Sequence, residues 1–180
     1  MRNEIRLSGS GGQGLITAGI ILAKAAALYD DKFAVQSQSY GPEARGGASK
    51  AEVIISENEI NFPKVQNPDL LVALTQEALG KYLKGVKEGG IIIIDTLLTP
   101  TPPQGNYKVY SLPIVTTAAE ELGSILTTNI ITLGALNALY PVVTDEALSK
   151  VVADTFKKAV EINAKALAVG KELAEKAKLM

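Results

Sequence analysis

The clearest pattern along the chain is a pair of aliphatic runs of strand length, DLLVAL at residues 69–74 and GIIIID at residues 90–95. Their interiors do not alternate with polar residues, which is the pattern of parallel strands covered on both faces. Between them, residues 76–84 predict a crossover helix. Upstream, residues 4–8 (EIRLS) predict a short strand, and a glycine turn leads from it into a helix over residues 15–29. Leu15, Ala18, Leu22, Ala25 and Tyr29 recur there at intervals of three and four. Ile16, Ile20 and Ile21 widen that stripe, so the helix is expected to pack on more than one side. Residues 33–38 and 51–56 read as strands on either side of a loop, SYGPEARGG. After a proline-rich stretch at 99–104, residues 107–112 make a further strand, 116–122 a short helix and 129–139 another, with Thr128 or Asn129 as its cap. Gly134 inside that helix is expected to allow close packing. Thr144 caps a last helical region with Asp145 and Glu146 in its first turn, where the helix dipole favours negative charge. Its buried stripe is Leu148, Val152, Phe156 and Ala159, and its far end, rich in Ala, Lys and Glu, is more exposed.

Strands alternating with helices through right-handed crossovers predict a Rossmann-like, doubly wound α/β fold, with a mostly parallel sheet and helices on both faces. Residues 1–180 fit a single domain of this kind. Ligands of such sheets bind beyond the carboxyl ends of the strands, at the switch in strand order. The expected strand ends are Ser8-Gly9, Ser37-Gln38, Thr75-Gln76 and Asp95-Thr96. The SYGPEARGG loop leaves the second of these, so it is expected to overhang the crevice. Asp95 reads first as a turn or cap residue and only second as an acid–base group.

Composition removes whole classes of chemistry. There is no cysteine and no histidine, which excludes iron–sulfur ligation, disulfides, thiol catalysis, a histidine triad and a histidine-containing zinc site in this chain. Acid–base work would fall to carboxylates, Lys or Tyr, or to another chain. Lys plus Arg number 18 against 19 Asp plus Glu, so no basic patch suits a nucleic acid. Glu161, Glu172 and Glu175 interrupt the lysines near residue 180, which argues against a membrane-surface helix. The first helix has the outline of a signal-peptide core, with Arg2 and Arg6 upstream and Ala23-Lys24-Ala25 imitating a cleavage site; the glycines from Gly9 to Gly14 and the early Glu4 argue against it. No run approaches the roughly 20 apolar residues of a membrane span, and a cytoplasmic protein is expected.

Two segments carry candidate chemistry. Residues 9–14, GSGGQG, match G-x-G-x-x-G through Gly9, Gly11 and Gly14, with a strand before and a helix after. The first glycine permits the tight turn, the second lets a ligand approach the backbone, and the third lets the helix pack against its strand. Free amides at the helix start then suit a phosphate or carboxylate. The usual NAD site also wants an acidic residue near the end of the second strand, but that end reads Gln36-Ser37-Gln38-Ser39. Dinucleotide binding, a bare structural turn and an anion or partner loop therefore stand side by side. In the second segment Tyr40, Gly41 and Pro42 set up a turn, Glu43 and Arg45 place opposite charges two residues apart, and Gly46 and Gly47 open the backbone to close approach. Glu43 and Arg45 are either a solvated pair or, in Arg45, a bidentate contact to carboxylate or phosphate.

LSGSGGQG, then QSQSYGPEARGGASKAEVIIS, then DLLVALTQEA, together with TTNIITLGAL, resemble the gamma subunit of the 2-oxoacid:ferredoxin oxidoreductases over nearly the whole chain. The YGPEARGG form looks most like the 2-oxoglutarate branch, because pyruvate enzymes tend to carry a phenylalanine and a second arginine there. The resemblance implies an enzyme that decarboxylates a 2-oxoacid on thiamine diphosphate, passes electrons through iron–sulfur clusters to ferredoxin and hands the acyl group to coenzyme A. It assigns the thiamine diphosphate and magnesium to alpha and beta chains and the clusters to other subunits, among them a ferredoxin-like delta chain. This chain then binds no cofactor alone; it docks on the thiamine-bearing subunits and helps close the active site, with a contribution to coenzyme A binding. Gly9, Gly11, Gly12, Gln13, Gly14 and Arg45 are its candidate binding residues, and Tyr40, Gly41, Pro42, Glu43, Gly46 and Gly47 its partner or active-site loop. A gamma-type subunit for pyruvate, branched-chain or indolepyruvate substrates, a free-standing NAD(P)-binding oxidoreductase and a small regulatory module remain open, as does homodimerisation of the isolated chain.

Overall fold

The computed structural model describes residues 1–39 and 47–179. Six strands form one sheet in the order β2-β3-β1-β4-β5-β6: β1 Arg2–Ser10, β2 Phe33–Ser39, β3 Ala48–Ser56, β4 Leu70–Ala73, β5 Ile91–Asp95 and β6 Lys108–Leu112. The two aliphatic runs became β4 and β5, which pair in parallel at the centre, with β1 and β6 parallel on their outer sides. Their residues are almost all buried, as runs covered on both faces must be.

The two strands expected on either side of the SYGPEARGG loop pair with each other as a hairpin. β3 runs antiparallel and is inserted between β2 and β1, pairing with both. The sheet is therefore mostly parallel with one antiparallel strand inside it.

One face of the sheet carries most of the helices. Helix α1 (Leu15–Tyr29), α3 (Ile114–Glu120), α4 (Thr128–Leu139), α5 (Asp145–Thr155) and α6 (Val160–Lys178) share one large core with Ile5, Leu7, Val53, Val72 and Ile93. The opposite face is thinner, with Ala78, Leu79 and Tyr82 of α2 (Gln76–Tyr82) over Leu71, Ala73, Ile92 and Ile94. Arg6 and Glu52 lie on β1 and β3 near this cover, where Arg6 Nε donates to Glu52 Oε1 at 2.8 Å and Lys50 Nζ to the same oxygen at 3.0 Å.

Helix α1 buries Leu15, Ala18, Ile21, Leu22, Ala25 and Ala26, while Ile20 and Tyr29 are exposed. Thr144 caps α5 as expected, its Oγ1 accepting from Ala147 N–H at 3.1 Å. The last helical region is two helices rather than one. The break at residues 156–159 contains no Gly or Pro; it lets α5 lie against α1 and α6 against α4, leaving Phe156 and Ala159 half-buried.

Helix α4 is a buried rod, with every residue from Thr128 to Asn137 covered. Its crossing with α6 is backbone to backbone. A Cβ on Gly134 would overlap Leu167 O, and one on Gly170 would overlap Ile131 O and lie 2.9 Å from Ala135 N. Gly134 is thus a packing residue, as its position in the sequence suggested.

Candidate functional site: a glycine turn at the carboxyl edge

The chain leaves β1 toward α1 on one face and β4 toward α2 on the other, so the switch in strand order falls between β1 and β4. The glycine turn sits there, following β1 at the carboxyl edge of the sheet. Its glycines do different work. Gly9 lies within the strand, where a Cβ would overlap Gln13 Oε1 and meet Leu15 Cδ1 at 2.9 Å, so it makes room for the turn's own side chains. Gly11 and Gly12 face open space, and Gly12 has φ 87°, a conformation that only glycine adopts without strain.

Gly14 is the N-cap of α1, at φ 73° and ψ 18°. It was expected to let the helix pack on its strand; it packs instead against α4, with a would-be Cβ 2.7 Å from Asn129 Nδ2. Gln13 turns inward, its Oε1 accepting from Ser10 N–H at 2.8 Å. That bond stabilises the turn and withdraws the carboxamide oxygen from any ligand.

Helix α1 consequently begins without a side-chain cap and without an acidic residue in its first turn. Its leading amides and the positive end of its dipole are available to a negative group. The recess beside the glycine turn has a volume of about 270 Å³ and is lined by Ser10, Gly11, Gly12, Gln13, Leu98, Val115, Ile125 and Thr128. None of these carries charge, so among the described residues lining the recess the attraction for an anion comes from backbone alone.

Neighbouring loops are held firmly. Asp95 is fully buried; its Oδ1 accepts from Leu97 and Leu98 N–H and its Oδ2 from Val115 N–H, all at 2.9 Å. Three backbone donors make it the turn and cap residue expected. Gln76 and Thr101 exchange a pair of 3.0 Å bonds that tie the β4 and β5 ends together. Beyond this frame the rim is apolar: Leu97, Ile125 and Leu126 are 63%, 62% and 78% exposed.

The second candidate segment is rooted where it was expected. β2 ends at Ser39, and β3 begins at Ala48 directly opposite Ser10. Gly47 is half-buried at that root. Tyr40, Gly41, Pro42, Glu43, Arg45 and Gly46 lie outside the described residues.

This arrangement bears on the dinucleotide alternative. In the usual NAD fold the strand beside β1 ends next to the turn and supplies the ribose-binding acid. Here β3 occupies that place and starts at the edge, and the first parallel strand beyond it ends in Gln38 and Ser39. Neither part of the ribose contact is present among the described residues.

Sequence reasoning missed Asn129, read as a possible cap of its own helix. The N-cap of α4 is Thr127, the last residue of a 3₁₀ turn, Ile125–Thr127, and Asn129 Nδ2 reaches across to donate to Gly14 O at 3.3 Å. An amide in the first turn of an apolar helix was the available signal.

Residues 4–173 match the pyruvate ferredoxin/flavodoxin oxidoreductase family. The chain belongs to this family. It is similar to 2-oxoglutarate synthase subunit KorC of Methanocaldococcus jannaschii, with 52% identity over 163 residues, covering 89% of this chain and 87% of that one. Pyruvate synthase subunit PorC of the same organism is 34% identical over 170 residues, covering 92% and 93%. Among solved structures, the gamma subunit of keto/oxoacid ferredoxin oxidoreductase from Geobacter sulfurreducens superposes with a TM-score of 0.92 at 49% identity, covering 98% of both chains. The 2-oxoglutarate:ferredoxin oxidoreductase of Magnetococcus marinus, solved with 2-oxoglutarate, coenzyme A and succinyl-CoA, matches with a TM-score of 0.87 at 26% identity. That match covers 97% of this chain but 31% of the Magnetococcus chain. The fold is therefore that of a gamma-type subunit in a multi-subunit oxidoreductase, and it also occurs joined to further polypeptide.

Proposed function

We propose that the chain is the gamma subunit of a 2-oxoglutarate:ferredoxin oxidoreductase, acting over residues 1–180 as one unit. The complete enzyme converts 2-oxoglutarate and coenzyme A to succinyl-CoA and carbon dioxide, the two electrons released passing to ferredoxin. The branch assignment rests on the contrast between the 52% and 34% identities to the 2-oxoglutarate and pyruvate subunits of one organism. Thiamine diphosphate with magnesium, held by alpha and beta chains, supplies the decarboxylation chemistry. The clusters belong to other subunits, a ferredoxin-like delta chain among them, because this chain has no cysteine to ligate them.

The observation that carries this chain's own role is the uncapped start of α1 behind an open glycine turn. Gly11 and Gly12 offer backbone N–H groups to a phosphate of coenzyme A or to a partner's carbonyl, and Gly9, Gln13 and Gly14 hold the turn in shape. Arg45 supplies the charged contact, and the rest of the 40–47 loop closes over the ligand from beside Ser10. The reacting carbon is on another chain, so a thiol carried by coenzyme A reaches it only if this edge faces the partner. Leu97, Ile125 and Leu126 are the aliphatic rim that docks there. No helix among the described residues is long and apolar enough to cross a membrane, which fits assembly in the cytoplasm.

The test is co-purification of this chain from its native cells, with assays for thiamine diphosphate, iron and coenzyme A-dependent dye reduction on a panel of 2-oxoacids. Two larger chains and a ferredoxin-like one, with 2-oxoglutarate the best substrate, are expected. Recovery of the chain alone with a bound nicotinamide nucleotide refutes the proposal. Within the assembled enzyme, Arg45→Ala should raise the Michaelis constant for coenzyme A, and Leu126→Glu should weaken assembly without lowering the Tm of the isolated chain.

A further inference from the structure

We infer that Asn129 is a positioning residue for the glycine turn, holding it from α4 in the form that leaves the amides of α1 free for an anionic group. The inference deepens, and rests on, the reading of the turn as the seat of a coenzyme A phosphate. Asn129 is 5% exposed, and its Nδ2 donates to Gly14 O at 3.3 Å. The same carboxamide lies so close to Gly14 that an added Cβ would be 2.7 Å from Nδ2 and 3.0 Å from Cγ. A side chain at position 14 therefore has to displace the buried Asn129 carboxamide, which stands against serine, threonine or aspartate, the usual caps, in the place from which they would occupy the leading amides. Asn129 both fixes the left-handed conformation of Gly14 and denies α1 a cap of its own.

This role has a thermodynamic signature. Asn129 Oδ1 is buried and has no hydrogen-bond partner among the described residues, the one buried side-chain polar atom there of which this is true. An orphaned acceptor costs more than a single neutral bond of 3.3 Å returns. For the isolated fold, an aliphatic side chain of similar volume would serve at least as well. What it could not do is bond the Gly14 carbonyl. An amide kept where packing does not favour it is expected when the benefit falls on the ligand-bound state.

Asn129→Leu and the isosteric Asn129→Asp separate the possibilities. In the isolated chain Asn129→Leu should keep or raise the Tm while hydrogen exchange quickens at the amides of residues 11–17. In the assembled enzyme it should raise KM for coenzyme A about tenfold, the loss expected for one well-placed charge-assisted bond, with kcat little changed. Asn129→Asp removes the donor and adds a negative charge beside the turn, so its KM should rise further. If Asn129→Leu does not fold, the Asp variant decides by the same exchange and KM measurements. Exchange at residues 11–17 equal to the unaltered chain, or a lowered Tm with an unchanged KM, makes Asn129 a packing residue and overturns the inference. Should the assembled enzyme need no coenzyme A, the functional reading fails, and the exchange measurement on the isolated chain still decides whether Asn129 positions the turn.

Discussion

Replacing Gly170 by Ala tests how closely α6 lies on α4. The added methyl group would overlap Ile131 O and lie 2.9 Å from Ala135 N, and both are backbone atoms of a buried helix, so no rotamer change makes room. Bringing the nearer of the two, Ile131 O, out to ordinary contact at about 3.5 Å requires α6 to withdraw by roughly 1.5 Å. Two effects compete. Ala in place of Gly favours the helix by about 1 kcal/mol. Against it stands overpacking, typically about 1–3 kcal/mol, together with loss of about half or more of the dispersion well wherever a gap of this size opens. That gap would run along the stripe of Asn163, Ala166 and Ala174, all buried on the same helix face. Packing should win, for a net loss of about 1–3 kcal/mol, or roughly 2–10 °C in Tm for a domain of this size. Urea unfolding followed by circular dichroism should show a lower midpoint with unchanged m. Gly134→Ala meets Leu167 from the other helix, and because either substitution already parts the pair, the double variant should lose less than the sum. Gly80→Ala, on the exposed side of α2 with nothing near its would-be Cβ, should instead stabilise. A Gly170→Ala chain as stable as the original would refute the reasoning, since propensity would then have outweighed the crossing.

Glu52→Gln leaves Arg6 and Lys50 without their shared carboxylate in a largely covered place and should cost about 3 kcal/mol in urea unfolding, with Arg6→Met restoring part of the loss. The Tyr140 hydroxyl, which donates to Asn3 Oδ1 at 2.8 Å, is pushed up to about 12 by burial and by the nearby Asp69 carboxylate. Because the folded value exceeds the ordinary 10.0, its contribution is complete below pH 10 and lost as pH rises through 12. Tyr140→Phe should flatten that decline, as read by unfolding at stepped alkaline pH beside an ultraviolet titration of the phenol. Gly11→Ala should leave the Tm of the isolated chain unchanged, since its Cβ meets nothing, yet raise KM for coenzyme A in the assembled enzyme. Gly12→Ala should do both harms, costing about 1 kcal/mol through its positive φ.

The centre of this fold was legible in the chain because its signals are local. Unbroken aliphatic runs mark β4 and β5, the glycine turn announces the start of α1, and Asp95 at a strand end reads as the turn residue it proved to be. What escaped is decided by partners distant in sequence. The direction of β3 depends on which neighbour it pairs with, and its Val- and Ile-rich composition suits either sense. The break at residues 156–159 lies in good helix formers, so only the different seats of α5 and α6 reveal it. Asn129 acts on a residue 115 positions away, and no helical periodicity carries that information. In the site, the turn's openness at Gly11 and Gly12 was foreseen, whereas the inward fold of Gln13 and the true neighbour of Gly14 needed coordinates.

The hairpin of β2 and β3 has a consequence for the segment that joins its strands. Both roots of the 40–46 segment belong to adjacent strands paired with each other at one edge, with Ser39 opposite Lys50 and Ala48 opposite Ser10. Between roots held in this way, even doubling a loop costs only about 0.6 kcal/mol in closure entropy. The roots of that segment, beside the glycine turn, are therefore fixed by strand pairing alone, so the sheet beneath them does not depend on how many residues join them.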